Sequence, residues 1–384
     1  MKKWVIALSV AVTAATFALR VPIQAQQAVP EIPFDGDINF LKLPPDMNFG
    51  EASGVAVNSK GQIAVFTRNN SASGPAYGAT ASQVLLFDAT GKFLKEVGKG
   101  LYAWSYAHAI RFDKDDNLWA IDKGSDMIVR INPEGHVTMV FGRKKEASDE
   151  AEPWTRVTPP RPPVNGQFRQ PTDVAWDTQG NIYISDGYIN SRVAKFTKDG
   201  DWVASLGEPG KNRGQLNTPH SIANDAKGNI YVADRGNRRI QVIDPATNQF
   251  VREIKIDVPP PANAQPWMGA TPDLATIMAA DAPPGSGTMA PGAPWAICIT
   301  PPNAQGTQYL YSSDAFPGRV YKLTLDGKVL GWIGRAGHQA KQFGWIHEIA
   351  CPSENTLFVG ELLNWRVQKL TLRPTAQMST SGGR

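Results

Sequence analysis

Three histidines recur at one register of an internal repeat. Six segments of the 384-residue chain align, beginning at Ala52, Ala107, Pro171, Pro219, Pro294 and Ile346. Their second positions are Ser53, His108, Thr172, His220, Trp295 and His347. Fourteen residues later stands Thr67, Asp122, Asp186, Asp234 or Glu361; only the fifth unit, with a longer turn, reaches its Asp314 at nineteen. Alternate units therefore carry the histidine. If six equal units close into a ring, the three imidazoles stand about 120° apart at one height around the axis. Three histidines with an open fourth position are the donor set of a catalytic zinc ion. His136 and His338 fall in turn regions and share no such relation. The competing reading is that histidine merely suits a polar channel position, as Ser53, Thr172 and Trp295 would.

The elements that must position these side chains can be read from the same units. Each alternates apolar and polar residues, turns at a Gly-Asn or Asp-Asn type dipeptide, and alternates again, as in NIYIS from Asn181. That is a hairpin pattern. Two further short strands follow, as in RVAKFTKDGDWVASLG from Arg192 and RIQVIDPATNQFVREI from Arg239. Four antiparallel strands repeated six times predict an all-β fold, a six-bladed β-propeller. The last unit has only three strands. The segment INFLKL, residues 38–43, is expected to supply its outer strand beside residues 366–372 and so close the ring.

A second layer lies near the recurring acids. Asp122, Asp186, Asp234 and Asp314 repeat too regularly to be separate active-site acids, and are expected to satisfy backbone groups. Residues that break the repeat stand beside them: Arg68 after Thr67, Arg235 after Asp234, and Tyr188 after Asp186-Gly187. Guanidinium groups suit a carboxylate. A phenol between two cations has a lowered pKa and can act as a base. The plainer readings are structural ion pairs for the arginines and packing for Tyr188.

The rest of the chain bounds these readings. Residues 1–25 read as a secretory signal peptide, with Lys2 and Lys3, an apolar run and a cleavage site ending at Ala25. The expected location is secreted or periplasmic. The net charge of +4 includes Lys2, Lys3 and Arg20 of that segment. The remainder is close to neutral, which argues against nucleic acid as a partner. Cys298 and Cys351 could pair in an oxidising compartment, but two buried thiols are the reading preferred here. Residues 26–373 form the expected propeller, interrupted by Pro-rich insertions at 146–167 and 258–292 and followed by a tail, 374–384, expected to be disordered. The insertions are either surface decoration or a lid. The chain is expected to be a monomer.

At these residues the sequence resembles a known family. The units are similar to NHL repeats. The runs QPTDVAWDTQGNIYISDGYINSRVAKF and TPHSIANDAKGNIYVADRGNRRIQ more closely resemble the peptidyl-α-hydroxyglycine α-amidating lyases. The resemblance extends from Ala52 to Leu372 and is weakest in the fifth repeat. It implies zinc on His108, His220 and His347, Tyr188 as the base, and Arg68 and Arg235 as active-site arginines. It also implies a structural calcium held by the carbonyls of Val55 and Ile110 and by an acid, here Glu348 where the family has Asp. Two departures stand out: Ile189 replaces a family cysteine, and Trp345 replaces a methionine.

The activity implied is cleavage of an N-acyl- or peptidyl-α-hydroxyglycine to an amide and glyoxylate, without a redox cofactor. Its substrate would be a small molecule or peptide ending in a carboxylate. The alternative is a secreted, non-catalytic NHL propeller that binds a peptide, glycan or protein. A further metal-dependent hydrolase or lactonase is disfavoured, because such enzymes on this scaffold commonly use carboxylate and Asn ligands.

Overall fold

A computed structural model of the chain describes residues 29–68, 82–144, 157, 160–279, 281–283 and 285–373. The expected signal peptide, much of the first insertion and the C-terminal tail lie outside the described residues. Six four-stranded antiparallel sheets follow one another along the chain. Their first strands are Ala52–Val57, Ala107–Phe112, Asp173–Trp176, Pro219–Asn224, Ile297–Ile299 and Ile346–Ser353. Each packs against the first strand of the next sheet, and the sixth returns to the first. The result is the expected six-bladed β-propeller, with blades 1 to 6 in chain order. Among the described residues, no helix is long and apolar enough to cross a membrane.

Local sequence explains the hairpins. In blade 3 the Asp177 carboxylate accepts the N–H groups of Gln179 and Asn181, while Gly180 takes a φ of 83° that a side chain would oppose. Asp225 and Gly228 repeat the device in blade 4. Burial then falls from the axis outward. Second strands such as Ile182–Asp186 are buried throughout, whereas outer strands such as Trp202–Leu206 expose alternate residues. Apolar side chains gather in six clusters, one between each neighbouring pair of blades. The sheets are thus held face to face by hydrophobic contact.

Two expectations need correction. The ring is closed by an N-terminal strand, but that strand is Phe34–Asp37, paired antiparallel with Arg366–Leu372. Residues 38–43 instead turn away from this pairing, and Lys42 bridges to Lys92 in blade 1. Phe34 is the reason the earlier segment wins: its ring is buried in the cluster between blades 5 and 6. The second correction concerns the cysteines. Cys298 and Cys351 form a disulfide, with Cα atoms 6.1 Å apart. They stand on the adjoining first strands of blades 5 and 6, which brings two residues distant in sequence within bonding reach.

The recurring acids have the expected scaffold role. Asp122 accepts the N–H groups of Ser105, Tyr106 and Ser125. Asp234 accepts from Asn217, Asn237 and Arg239. Asp314 accepts from Gly292, Gly318 and Arg319. Each ties the loop entering a blade to its second strand.

Candidate metal centre and active site

His108, His220 and His347 are buried, and their ligand atoms lie within 4.8 Å of one another. Their ring centroids are 4.5 to 4.8 Å apart. The ladder between first and second strands shifts register at or beside each of these histidines. Such bulges re-aim a side chain, and here they help turn three imidazoles to one point.

The ring is held by backbone. His108 Nδ1 is 2.6 Å from the Thr172 carbonyl, His220 Nδ1 is 2.6 Å from that of Trp295, and His347 Nδ1 is 2.7 Å from that of Ser53. A carbonyl only accepts, so Nδ1 carries the proton and Nε2 presents its lone pair inward. Each histidine therefore bonds the second-position residue of the next blade. Ser53, Thr172 and Trp295, whose side chains differ in kind, serve the histidines through their carbonyls. Burial pushes all three imidazoles well below the ordinary histidine range, and nearby cations add to the shift. Neutral, oriented and convergent imidazoles are what a zinc ion takes as ligands. The three side chains fit the ion.

Tyr188 reaches the same point. Its hydroxyl is 3.0 Å from His220 Nε2 and 3.4 Å from His108 Nε2. Burial pushes this phenol up, but Lys123, Arg235 and Arg68 together bring it below its ordinary value. Arg235 lies flat over the Trp295 ring at 4.1 Å, with its carbon 5.5 Å from the Tyr188 ring. Its Nε and Nη1 are buried without a hydrogen-bond partner. Orphaned guanidinium donors are costly unless an anion completes them.

Arg68 sits differently from expectation. Its Nη1 pairs with Glu51 at 2.9 Å and meets the Tyr106 hydroxyl at 3.1 Å, while Nε donates to the Ala107 carbonyl. It reaches Tyr188 and His347 through its charge. Lys123, absent from the sequence-derived set, has its Nζ 3.8 Å from the centre of the Tyr188 ring. It was legible all the same, because it follows Asp122 as Arg68 follows Thr67 and Arg235 follows Asp234.

The calcium ligands do not fit in the same way. Val55 and Ile110 do lie on adjoining first strands, in blades 1 and 2. Glu348 Oε1, however, already has a cation beside it, Arg111 Nη2 at 2.5 Å, an ion pair without hydrogen-bond geometry.

The NHL repeat model matches residues 216–243, the stretch that holds His220 and Arg235. The chain is 29% identical over 237 residues to peptidyl-glycine alpha-amidating monooxygenase B of Xenopus laevis, a match covering 55% of this chain and 25% of that protein. It is 26% identical over 178 residues to a probable peptidyl-alpha-hydroxyglycine alpha-amidating lyase of Caenorhabditis elegans, covering 42% of this chain and 45% of the relative. The chain thus carries a match to the NHL repeat and is similar to the peptidyl-α-hydroxyglycine α-amidating lyases. The match spans under half of each relative's length. In fold, the chain is similar to virginiamycin B lyase of Staphylococcus aureus, at a TM-score of 0.51 and 14% identity over 89% of this chain and all of that one.

Proposed function

We propose that the chain is a zinc-dependent lyase that cleaves an N-acyl- or peptidyl-α-hydroxyglycine to an amide and glyoxylate. The observation that carries the reading is the Tyr188 hydroxyl, 3.0 Å from His220 Nε2 and within a ring of three inward-facing histidines. The names of the relatives support a lyase on this scaffold. The bound zinc would supply a Lewis acid that favours the ionised form of a substrate oxygen.

The chain's own groups account for the rest. The substrate's α-hydroxyl gives its proton to the Tyr188 oxygen. The carbon–nitrogen bond breaks, its electron pair goes to the amide nitrogen, and the hydroxyl oxygen becomes the aldehyde oxygen of glyoxylate. A proton returned by Tyr188 completes the primary amide, so the step balances without an oxidant or reductant. Arg235 offers its unpartnered Nε and Nη1 to the substrate carboxylate. Lys123, Arg235 and Arg68 lower the pKa of the phenol against the effect of burial. Trp295 backs Arg235 and limits how far the guanidinium can swing.

A location outside the cytoplasm is part of the proposal, and the Cys298–Cys351 disulfide supports that compartment. The test is direct. Zinc-loaded protein given a peptide ending in α-hydroxyglycine should release glyoxylate and the amidated peptide. Absence of glyoxylate from the loaded enzyme, or release undiminished in His220→Ala, overturns the proposal.

A further inference from the structure

Next to the histidine layer, one side chain bonds the first strands of four other blades. Arg111 lies on the first strand of blade 2 and is largely buried. Its Nε and Nη2 donate to the two carboxylate oxygens of Asp173, at 2.9 and 2.6 Å. Nη2 also meets Glu348 Oε1 at 2.5 Å, Ser221 Oγ at 3.3 Å and the Ile297 carbonyl at 3.3 Å. Nη1 reaches the Ile349 carbonyl at 3.4 Å. These partners belong to the first strands of blades 3, 4, 5 and 6. Together with its own strand, one guanidinium joins five of the six blades. Asp173, Ser221 and Glu348 directly follow Thr172, His220 and His347, so this layer abuts the histidine ring.

The donor set is the informative feature. Every partner is an oxygen, two of the side chains are carboxylates, and two partners are backbone carbonyls. Converging carboxylate and carbonyl oxygens are what a hard divalent cation takes. A guanidinium meets the same oxygens with donors fixed in a plane and a charge that does not titrate away. It also requires no ion from solution. We propose that Arg111 is a built-in cation, filling the axial site that an all-oxygen set would otherwise offer to a divalent ion. The folded ring is then indifferent to calcium. Removing the guanidinium leaves Asp173 and Glu348 as uncompensated buried carboxylates and turns the layer into a calcium site.

Neither consequence depends on the lyase reading, because neither readout is activity. The experiment measures bound calcium by elemental analysis after equilibrium dialysis, and thermal midpoint, on the full zinc-loaded chain. We expect the wild type to hold no stoichiometric calcium and to melt at one temperature with or without it. Arg111→Met should melt roughly 10 °C lower in calcium-free buffer. With calcium it should bind one ion per chain and recover most of that loss. Arg111→Met combined with Glu348→Gln should bind none, and Arg111→Lys should behave as the wild type toward calcium. Stoichiometric calcium on the wild type, or wild-type melting of Arg111→Met in calcium-free buffer, overturns the proposal. If Arg111→Met cannot be recovered folded, the wild type and Arg111→Lys still decide, since calcium bound by either refutes it.

Discussion

His347 Nδ1 bonds the Ser53 carbonyl at 2.7 Å, across the seam where the last blade meets the first. The proposed zinc site thus depends on residues 294 positions apart in sequence. It is complete only when the ring has closed. The bond uses backbone, so Ser53→Ala should retain a full zinc complement, with a stability loss of about 1 kcal/mol from the lost Oγ bond to the Phe66 carbonyl. His347→Ala should lose zinc binding outright. Elemental analysis of both variants checks the contrast.

Tyr188→Phe removes only the hydroxyl. Zinc content should be unchanged, and kcat should fall about 10²- to 10⁴-fold, the span of general-base contributions. A variant with near wild-type turnover would remove Tyr188 from the chemistry.

The pH profile reports the cations around that phenol. A base works when deprotonated, so activity falls as pH drops through the Tyr188 pKa. Lys123, Arg235 and Arg68 pull that pKa below its ordinary value. Lys123→Met should therefore move the acidic limb of kcat/KM to higher pH. A limb that stays in place, measured with zinc-saturated enzyme, separates Lys123 from Tyr188.

Arg235 should act on the substrate's carboxylate. Arg235→Ala should lower kcat/KM by about 100-fold, the value of charge-assisted hydrogen bonds. A substrate whose carboxylate is amidated should lose much less, keeping only the share that Arg235 contributes by lowering the Tyr188 pKa. Equal losses on both substrates would point instead to a packing role against Trp295.

The disulfide encloses 53 residues between blades 5 and 6. A loop of that size corresponds to about 4 kcal/mol of chain entropy. Cys298→Ala with Cys351→Ala should therefore lower the melting temperature while leaving zinc on the three histidines. Calorimetry and metal analysis of the double variant separate the two effects.

Much was legible in the chain because the fold is repetitive. A constant offset from the second position to the acid set the blade register, and register alone placed His108, His220 and His347 at one height. Tyr188 and Arg235 were found because they break the pattern, and Lys123 could have been found the same way. Arg111 could not. It stands in a polar strand position that looks like any solvated charge, and its partners come from four other blades. The closing strand was missed by one segment because residues 38–43, INFLKL, are mostly apolar and read as a strand, whereas Phe34–Asp37, FDGD, reads as a turn. Only the pocket between blades 5 and 6 chooses Phe34.

Sequence by itself determined what is local or periodic: six hairpin units, their register, and which residues depart from it. Tertiary structure decided what depends on proximity across blades. It paired the two cysteines, turned each Nδ1 onto a neighbour's carbonyl, gave Arg68 to Glu51, and placed Arg111 among oxygens from four other strands. The physical reason is that a hydrogen bond or ion pair depends on distances of about 3 Å. Residues far apart in the chain reach such distances only after hydrophobic burial between the sheets has closed the ring.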